Sequence, residues 1–271
     1  MRNPTPWVVA ALLVTLTCSA QSPRDEFIDI DGNRLHLVIQ RPGSVDEARP
    51  TILLESGGGF YAAQWQTLQP QLADEFNATV VAYDRPGFGD SDLPDTPYDI
   101  REEVNNLHTV LEELELARRI VIVAHSYGAL LAQLYAFVHP EIVAGLVLLD
   151  PNSPATMVAL HDVQTRPYSD APPRTTRERA FARIDAAIWE TLTTVYRSPI
   201  PQDIPVTVVS AEHAPFPEER QNEAFRLTHQ LLAVAVRDGR TVIAEDSNHM
   251  IPAQRPDVVI DSVRDMLGRI E

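Results

Sequence analysis

Three groups of residues in this 271-residue chain have the types needed for nucleophilic chemistry. The first is Ser126, in the run Ala124-His125-Ser126-Tyr127-Gly128 that follows the β-branched stretch Val121-Ile122-Val123. A serine hydroxyl is a weak nucleophile at neutral pH. It becomes useful when a tight turn exposes it, a base stands beside it and backbone N–H groups await the developing oxyanion. The second is His249, in Asp246-Ser247-Asn248-His249-Met250-Ile251-Pro252. A neutral imidazole there can take the serine proton and return it to a leaving group. The third is Gly57-Gly58-Gly59, a stretch whose backbone can approach an anion closely. The N–H groups of Gly58 and Tyr127 are the expected oxyanion donors. A carboxylate must orient the histidine, and two candidates keep the order serine, acid, histidine: Asp150, with Glu212 as the alternative acid. By itself the pentapeptide also fits an ordinary strand-to-helix turn with Ser126 as its cap. The order of the other groups is what favours chemistry.

These residues need elements that bring them to one place. Phe27–Ile30 and Leu35–Ile39 flank Asp31-Gly32, a hairpin signal. Thr51–Leu54, Thr79–Tyr83, Ile120–Ala124, Val143–Leu149, Val206–Ser210 and Thr241–Ala244 read as buried strands. Helical spacing covers Ala62–Phe76, Ile100–Leu116, Tyr127–Val138, about Glu218–Arg237 and Pro256–Arg269. Strands that alternate with helices predict an α/β fold, a mostly parallel doubly wound sheet flanked by helices. Sites in such sheets form at the carboxyl ends of the strands, where Ser126, Asp150, Glu212, His249 and the glycine stretch all fall. Between about 152 and 203 the chain turns rich in Pro, Thr and Arg, with one helix over about Arg177–Tyr196. That is the expected place of a small helical lid. Phe60, Tyr61, Trp189 and Tyr196 are candidates to line an apolar pocket or to pack in the core, and no substrate-binding residue is assigned.

Composition limits the remaining choices. A net charge of −16 argues against a nucleic-acid partner, which needs basic patches. All 22 basic residues are arginine, so a lysine Schiff base is excluded. Residues 1–20 read as a signal peptide or lipoprotein signal: Arg2, an apolar run from Trp7 to Leu16, then Cys18-Ser19-Ala20. Export is therefore expected (periplasmic, secreted or lipid-anchored), with membrane association through a lipidated Cys18 as one form of it. Residues 21–271 form the folded domain. Cys18 is the one cysteine, so a chain cleaved after Ala20 has neither a disulfide nor a thiol nucleophile. No metal site and no cofactor are expected.

Taken together, Asp84-Arg85-Pro86-Gly87-Phe88-Gly89-Asp90-Ser91, Ala124–Gly128 and Asn248-His249 resemble the α/β-hydrolase superfamily in type and spacing, over residues 27 to 270 apart from the lid. The resemblance implies a triad of serine, acid and histidine, with an oxyanion loop after the third strand. This chain departs from the pattern twice. Many members carry His-Gly at the oxyanion loop, where Ser56-Gly57 stands here. The acid usual after the Val206–Val209 strand is replaced by Ala214. Some members, haloalkane dehalogenases and certain lipases among them, place the acid one strand earlier, at the position of Asp150. The serine disfavours relatives with an aspartate nucleophile. The expected function is that of a serine hydrolase acting on a small or medium acyl substrate, foremost a carboxylic ester. A proline-iminopeptidase-like peptidase, a lactone, amide or C–C hydrolase, and a non-catalytic ligand-binding relative are the alternatives.

Overall fold

The computed structural model describes residues 22–43, 49–159 and 172–270. The N-terminal segment 1–20 with Cys18, and residues 160–171 of the expected lid, lie outside the described residues. Eight strands form one sheet: β1 (Arg24–Ile30), β2 (Asn33–Gln40), β3 (Thr51–Glu55), β4 (Val80–Asp84), β5 (Ile120–His125), β6 (Val143–Leu149), β7 (Val206–Ala211) and β8 (Gly239–Ala244). Their order is β1-β2-β4-β3-β5-β6-β7-β8. β1 and β2 form the expected hairpin, turned by Asp31 and Gly32 at φ 51° and 84°. Such a turn matches the twist of the strands it joins. β2 pairs antiparallel with β4, and every later pairing is parallel.

The inner strands are buried on both faces, which explains their unbroken apolar runs. On one face α2 (Ile100–Glu113), α3 (Gly128–Val138) and α7 (Glu219–Val234) contribute to a core that includes Leu107, Leu130 and Phe88. On the other, α1 (Leu68–Phe76) and α9 (Pro256–Ile270) pack Leu72 and Val263 against Val121 and Val147. Between β6 and β7 lie α4 (Pro154–Ala159), α5 (Thr176–Ala186) and α6 (Ile188–Tyr196), and α8 (Ile251–Gln254) precedes α9. Among the described residues, no helix is long and apolar enough to cross a membrane.

Two helices differ from expectation. The stretch Ala62–Phe76 divides into a 3₁₀ turn (Ala62–Trp65) and α1. Pro70 sits in the first turn of α1, the one place where a missing N–H costs no helical bond. The single helix over Arg177–Tyr196 is two, broken at Ala187 (φ −97°, ψ 6°). Alanine has the highest helix propensity, so this break comes from how α5 and α6 pack, not from local preference.

Candidate active site

The sheet register sets the site's spacing. His125 of β5 pairs with Leu149 of β6, so Ser126 and Asp150 leave neighbouring strands at the same height. Both take left-handed backbone, at φ 53° and 44°. For a residue with a Cβ this conformation costs about 1–2 kcal/mol. The surroundings enforce it: Ser126 N–H donates to Leu149 O at 3.0 Å and Asp150 N–H to Val209 O at 2.7 Å. α3 then passes close over the end of β3. A Cβ on Gly128 would lie 2.6 Å from Ser56 O, so only glycine fits there without displacing the backbone.

A hydrogen-bonded chain joins three of the expected residues. Ser126 Oγ lies 3.0 Å from His249 Nε2, and His249 Nδ1 lies 2.7 Å from Asp150 Oδ2. Asp150 is wholly buried, and its other oxygen accepts the Ala211 N–H at 3.0 Å. The carboxylate can only accept, so the proton sits on Nδ1 and Nε2 is open to the serine hydroxyl. Glu212 stands elsewhere. It is exposed, and its carboxylate accepts the Asp246 N–H at 2.7 Å, which secures the loop after β8. Of the two acids weighed from the sequence, the one in contact with His249 is Asp150.

The glycine stretch stands against the serine turn. A Cβ built on Gly58 would lie 3.4 Å from Tyr127 Cβ, so the two expected N–H donors belong to segments in contact. The Tyr127 side chain turns inward and donates to Tyr98 Oη at 3.0 Å. Beneath the glycines, Arg85 is 1% exposed and donates to Ser56 O at 2.9 Å and Gly57 O at 2.5 Å. Above them, α5 contributes Arg177, whose Nε donates to Gly59 O at 2.9 Å. Phe181 of the same helix would lie 3.5 Å from a Cβ on Gly59.

The model of the alpha/beta hydrolase family matches residues 52–262. The chain belongs to this family. YqjL of Bacillus subtilis (strain 168), whose name carries no activity, is 33% identical over 122 residues, 45% of this chain and 46% of that protein. The 2-hydroxy-6-oxo-6-(2'-aminophenyl)hexa-2,4-dienoic acid hydrolase of Metapseudomonas resinovorans is 28% identical over 118 residues, 43% of this chain and 39% of that one. The chain thus spans less than half the length of these curated relatives. Among solved structures, Cfl2 of Burkholderia cenocepacia superposes with a TM-score of 0.68 at 23% identity, covering 93% of this chain and 97% of that one, a likeness of fold.

This α/β-hydrolase also contains groups to which the sequence assigns no role. Glu55 and Glu103 are buried with Arg85, at 3.4 Å and 3.9 Å from its guanidinium. Burial pushes the Glu55 carboxyl up to about 8 against the pull of Arg85, and raises Glu103 as well. Such contacts join β3, the loop after β4 and α2, and no local pattern announces them. His36, Asp84 and Asp90 also cluster, with the Asp84 carboxylate at the centre and the far side of the His36 ring bonded to Asp25 at 3.0 Å. Asp84 accepts from the Ala62 and Asp90 N–H groups at 2.8 Å each and meets His36 Nδ1 at 2.7 Å, clasping the Asp84–Ser91 loop. Of the four aromatic candidates, Phe60 stands edge-on to His125 with ring centroids 6.5 Å apart, and Tyr61 packs against the core. Trp189 and Tyr196 lie on the outside, 50% and 77% exposed.

Glu55 carries a pH prediction for stability. Its folded pKa is raised above the ordinary value of 4.5, so the folded protein binds a proton that the unfolded chain has released. Stability from this group is present at low pH and lost as pH rises towards about 8. Buried His125 and His229, both shifted down by burial, act in the opposite sense below the ordinary histidine value of 6.5. The window free of that opposition is therefore pH 6.5 to 8. Thermal unfolding should show Tm falling across it, and Glu55→Gln should flatten the fall. A wild-type Tm constant over that window would count against the assignment.

Proposed function

We propose that this protein is a serine hydrolase that cleaves a small or medium acyl substrate, foremost a carboxylic ester, through an acyl-enzyme intermediate. The observation that carries the reading is the unbroken chain Ser126 Oγ to His249 Nε2 to Asp150 Oδ2, at 3.0 Å and 2.7 Å, beside a glycine loop in contact with Tyr127. Ser126 Oγ attacks the substrate carbonyl as His249 Nε2 takes its proton. The imidazolium that forms is stabilised by Asp150, which keeps its charge. The carbonyl oxygen becomes an oxyanion held by the N–H groups of Gly58 and Tyr127, with Tyr127 at the N-terminus of α3, where the helix dipole favours negative charge. Collapse expels the alcohol, protonated by His249, and leaves the acyl group on Ser126. Water then attacks the acyl carbon, giving its proton to His249, and Ser126 recovers its hydroxyl as the acid departs.

In this reading α5 acts as the lid, with Phe181 and Arg177 at the glycine loop setting which acyl group enters. The N-terminal segment 1–20 supports export of the enzyme.

A fluorophosphonate probe tests the serine. Labelling is expected on the peptide containing Ser126, and a protein that resists the probe is the ligand-binding relative instead. A panel of p-nitrophenyl esters of rising chain length, proline arylamides and lactones then ranks the chemistry. The esters should give the highest kcat/KM. Arylamide turnover above every ester would replace this reading with the peptidase.

A further inference from the structure

Three polar groups beside the Ser126–His249–Asp150 chain take no part in the mechanism above. They are the Gln64 side chain, the His125 ring and the Gly57 N–H. His125 is 1% exposed and bonded at both nitrogens. Its Nε2 lies 2.7 Å from the backbone oxygen of His249, and its Nδ1 lies 2.8 Å from Gln64 Nε2. A carbonyl only accepts, so Nε2 carries the proton and Nδ1 accepts from the Gln64 amide. The other end of that amide accepts the Gly57 N–H at 3.0 Å. Flipping the amide would set two donors face to face at Gly57, so the two ends of Gln64 independently require one arrangement.

Three bonds therefore run head to tail, from Gly57 N–H through Gln64 and His125 to the backbone of His249. They tie the glycine loop, the residue before the nucleophile and the loop that carries the base. Gly57 admits the close approach, since a Cβ there would lie 2.6 Å from His125 Nδ1. The His125 and His249 rings are 4.8 Å apart, near enough for charge on one to oppose charge on the other. Burial, followed by the nearby His249, holds His125 far below the ordinary histidine range, at about 3. Asp150 favours its charged form and Arg85 disfavours it.

We propose that Gln64 and His125 are positioning residues, a relay that fixes the backbone of His249 relative to Ser126 and the glycine loop while keeping the neighbouring imidazole in its neutral Nε2–H form. The proposal rests on the serine-hydrolase reading.

Gln64→Glu provides the test, because it keeps the shape and reverses the logic. A carboxylate accepts at both ends, so the Nδ1 of His125 must then carry the proton. A neutral His125 cannot then also donate to His249. His125→Phe removes both bonds. In the full-length protein, nitrogen NMR of the histidine rings should show wild-type His125 as the Nε2–H form, without titrating from about pH 5.5 to 8. In Gln64→Glu the proton should move to Nδ1, or the ring should titrate within that range. The fluorophosphonate labelling rate should fall about tenfold or more in each single variant, since small displacements of a base are costly. The double variant should be no slower than the slower single, as expected of one unit. Should His125→Phe fail to fold, Gln64→Glu at its half-buried position decides alone through NMR and labelling. Variants that label at the wild-type rate and pH dependence overturn the relay, and so do effects that multiply in the double variant. A wild-type protein that resists the probe overturns the serine-hydrolase reading and the relay with it. A labelled wild type with unaffected variants overturns the relay alone.

Discussion

Ser126→Ala is expected to lower ester kcat by about 10⁴- to 10⁶-fold while leaving the fold intact. The size follows from the way the three side chains act as a unit. Without Oγ there is no acyl-enzyme, and His249 and Asp150 have nothing to activate. What persists is binding and the oxyanion donors, which sustain slow attack by water. The fold survives because the left-handed turn is held by the backbone bonds of Ser126, its N–H to Leu149 O and its carbonyl accepting from Asn152 N–H, both at 3.0 Å. Alanine keeps both, at the same φ. The measurement is kcat on the best ester of the panel, with Tm as the control. A variant that keeps its activity and its Tm would remove Ser126 from the mechanism.

The second large effect separates the acids. Asp150→Asn should lower kcat by about 10⁴-fold. The asparagine oxygen can still accept the Ala211 N–H, but its amide nitrogen then faces His249 Nδ1. That nitrogen must become the acceptor, the proton moves to Nε2, and the imidazole presents a donor to a serine that needs an acceptor. Glu212→Gln should stay within a few-fold of wild type, because its side chain meets the Asp246 N–H and a neutral amide oxygen serves there too. Both variants are compared by kcat, with circular dichroism to verify folding. The reverse ranking would transfer the role to Glu212 and leave the 2.7 Å contact of Asp150 without a catalytic meaning.

Which of the two carboxylates meets His249 was hard to read from sequence for a physical reason. Both carboxylates follow strands at the carboxyl edge, and chain order admits either. What decides is the register that sets Asp150 level with Ser126, together with the turn of its backbone to φ 44°. Neither is a property of neighbouring residues. Ser126 and His249 were legible because each lies in a short stretch between strand and helix whose meaning is local. The hairpin and inner strands were legible for the same reason, through alternation, an Asp-Gly turn and β-branched runs. The break at Ala187, the Arg85–Glu55–Glu103 cluster and the Gln64–His125 contact depend on packing between distant segments. His125 stands inside the most informative motif of the chain, yet its partners are 61 and 124 residues away.

The strand order places the base at the end of a span. Ser126 and Asp150 rise from β5 and β6, while the loop bearing His249 starts at β8, with β7 between. At about 4.8 Å per strand, that loop must project some 10 Å sideways to set its imidazole above β6. In the proposed mechanism, nucleophile and acid are thus fixed in the sheet, and the base is a cantilever. Its stiffness comes from short props along its length: Ser247 Oγ to Ala244 O, Ser247 O to His213 N–H, Asn248 N–H to Gln254 and His249 O to His125. Glu212, just past the end of β7, adds a further prop by accepting the Asp246 N–H at 2.7 Å. On the proposed mechanism, catalytic alignment therefore depends less on the sheet that builds the core than on the props that steady one overhanging loop.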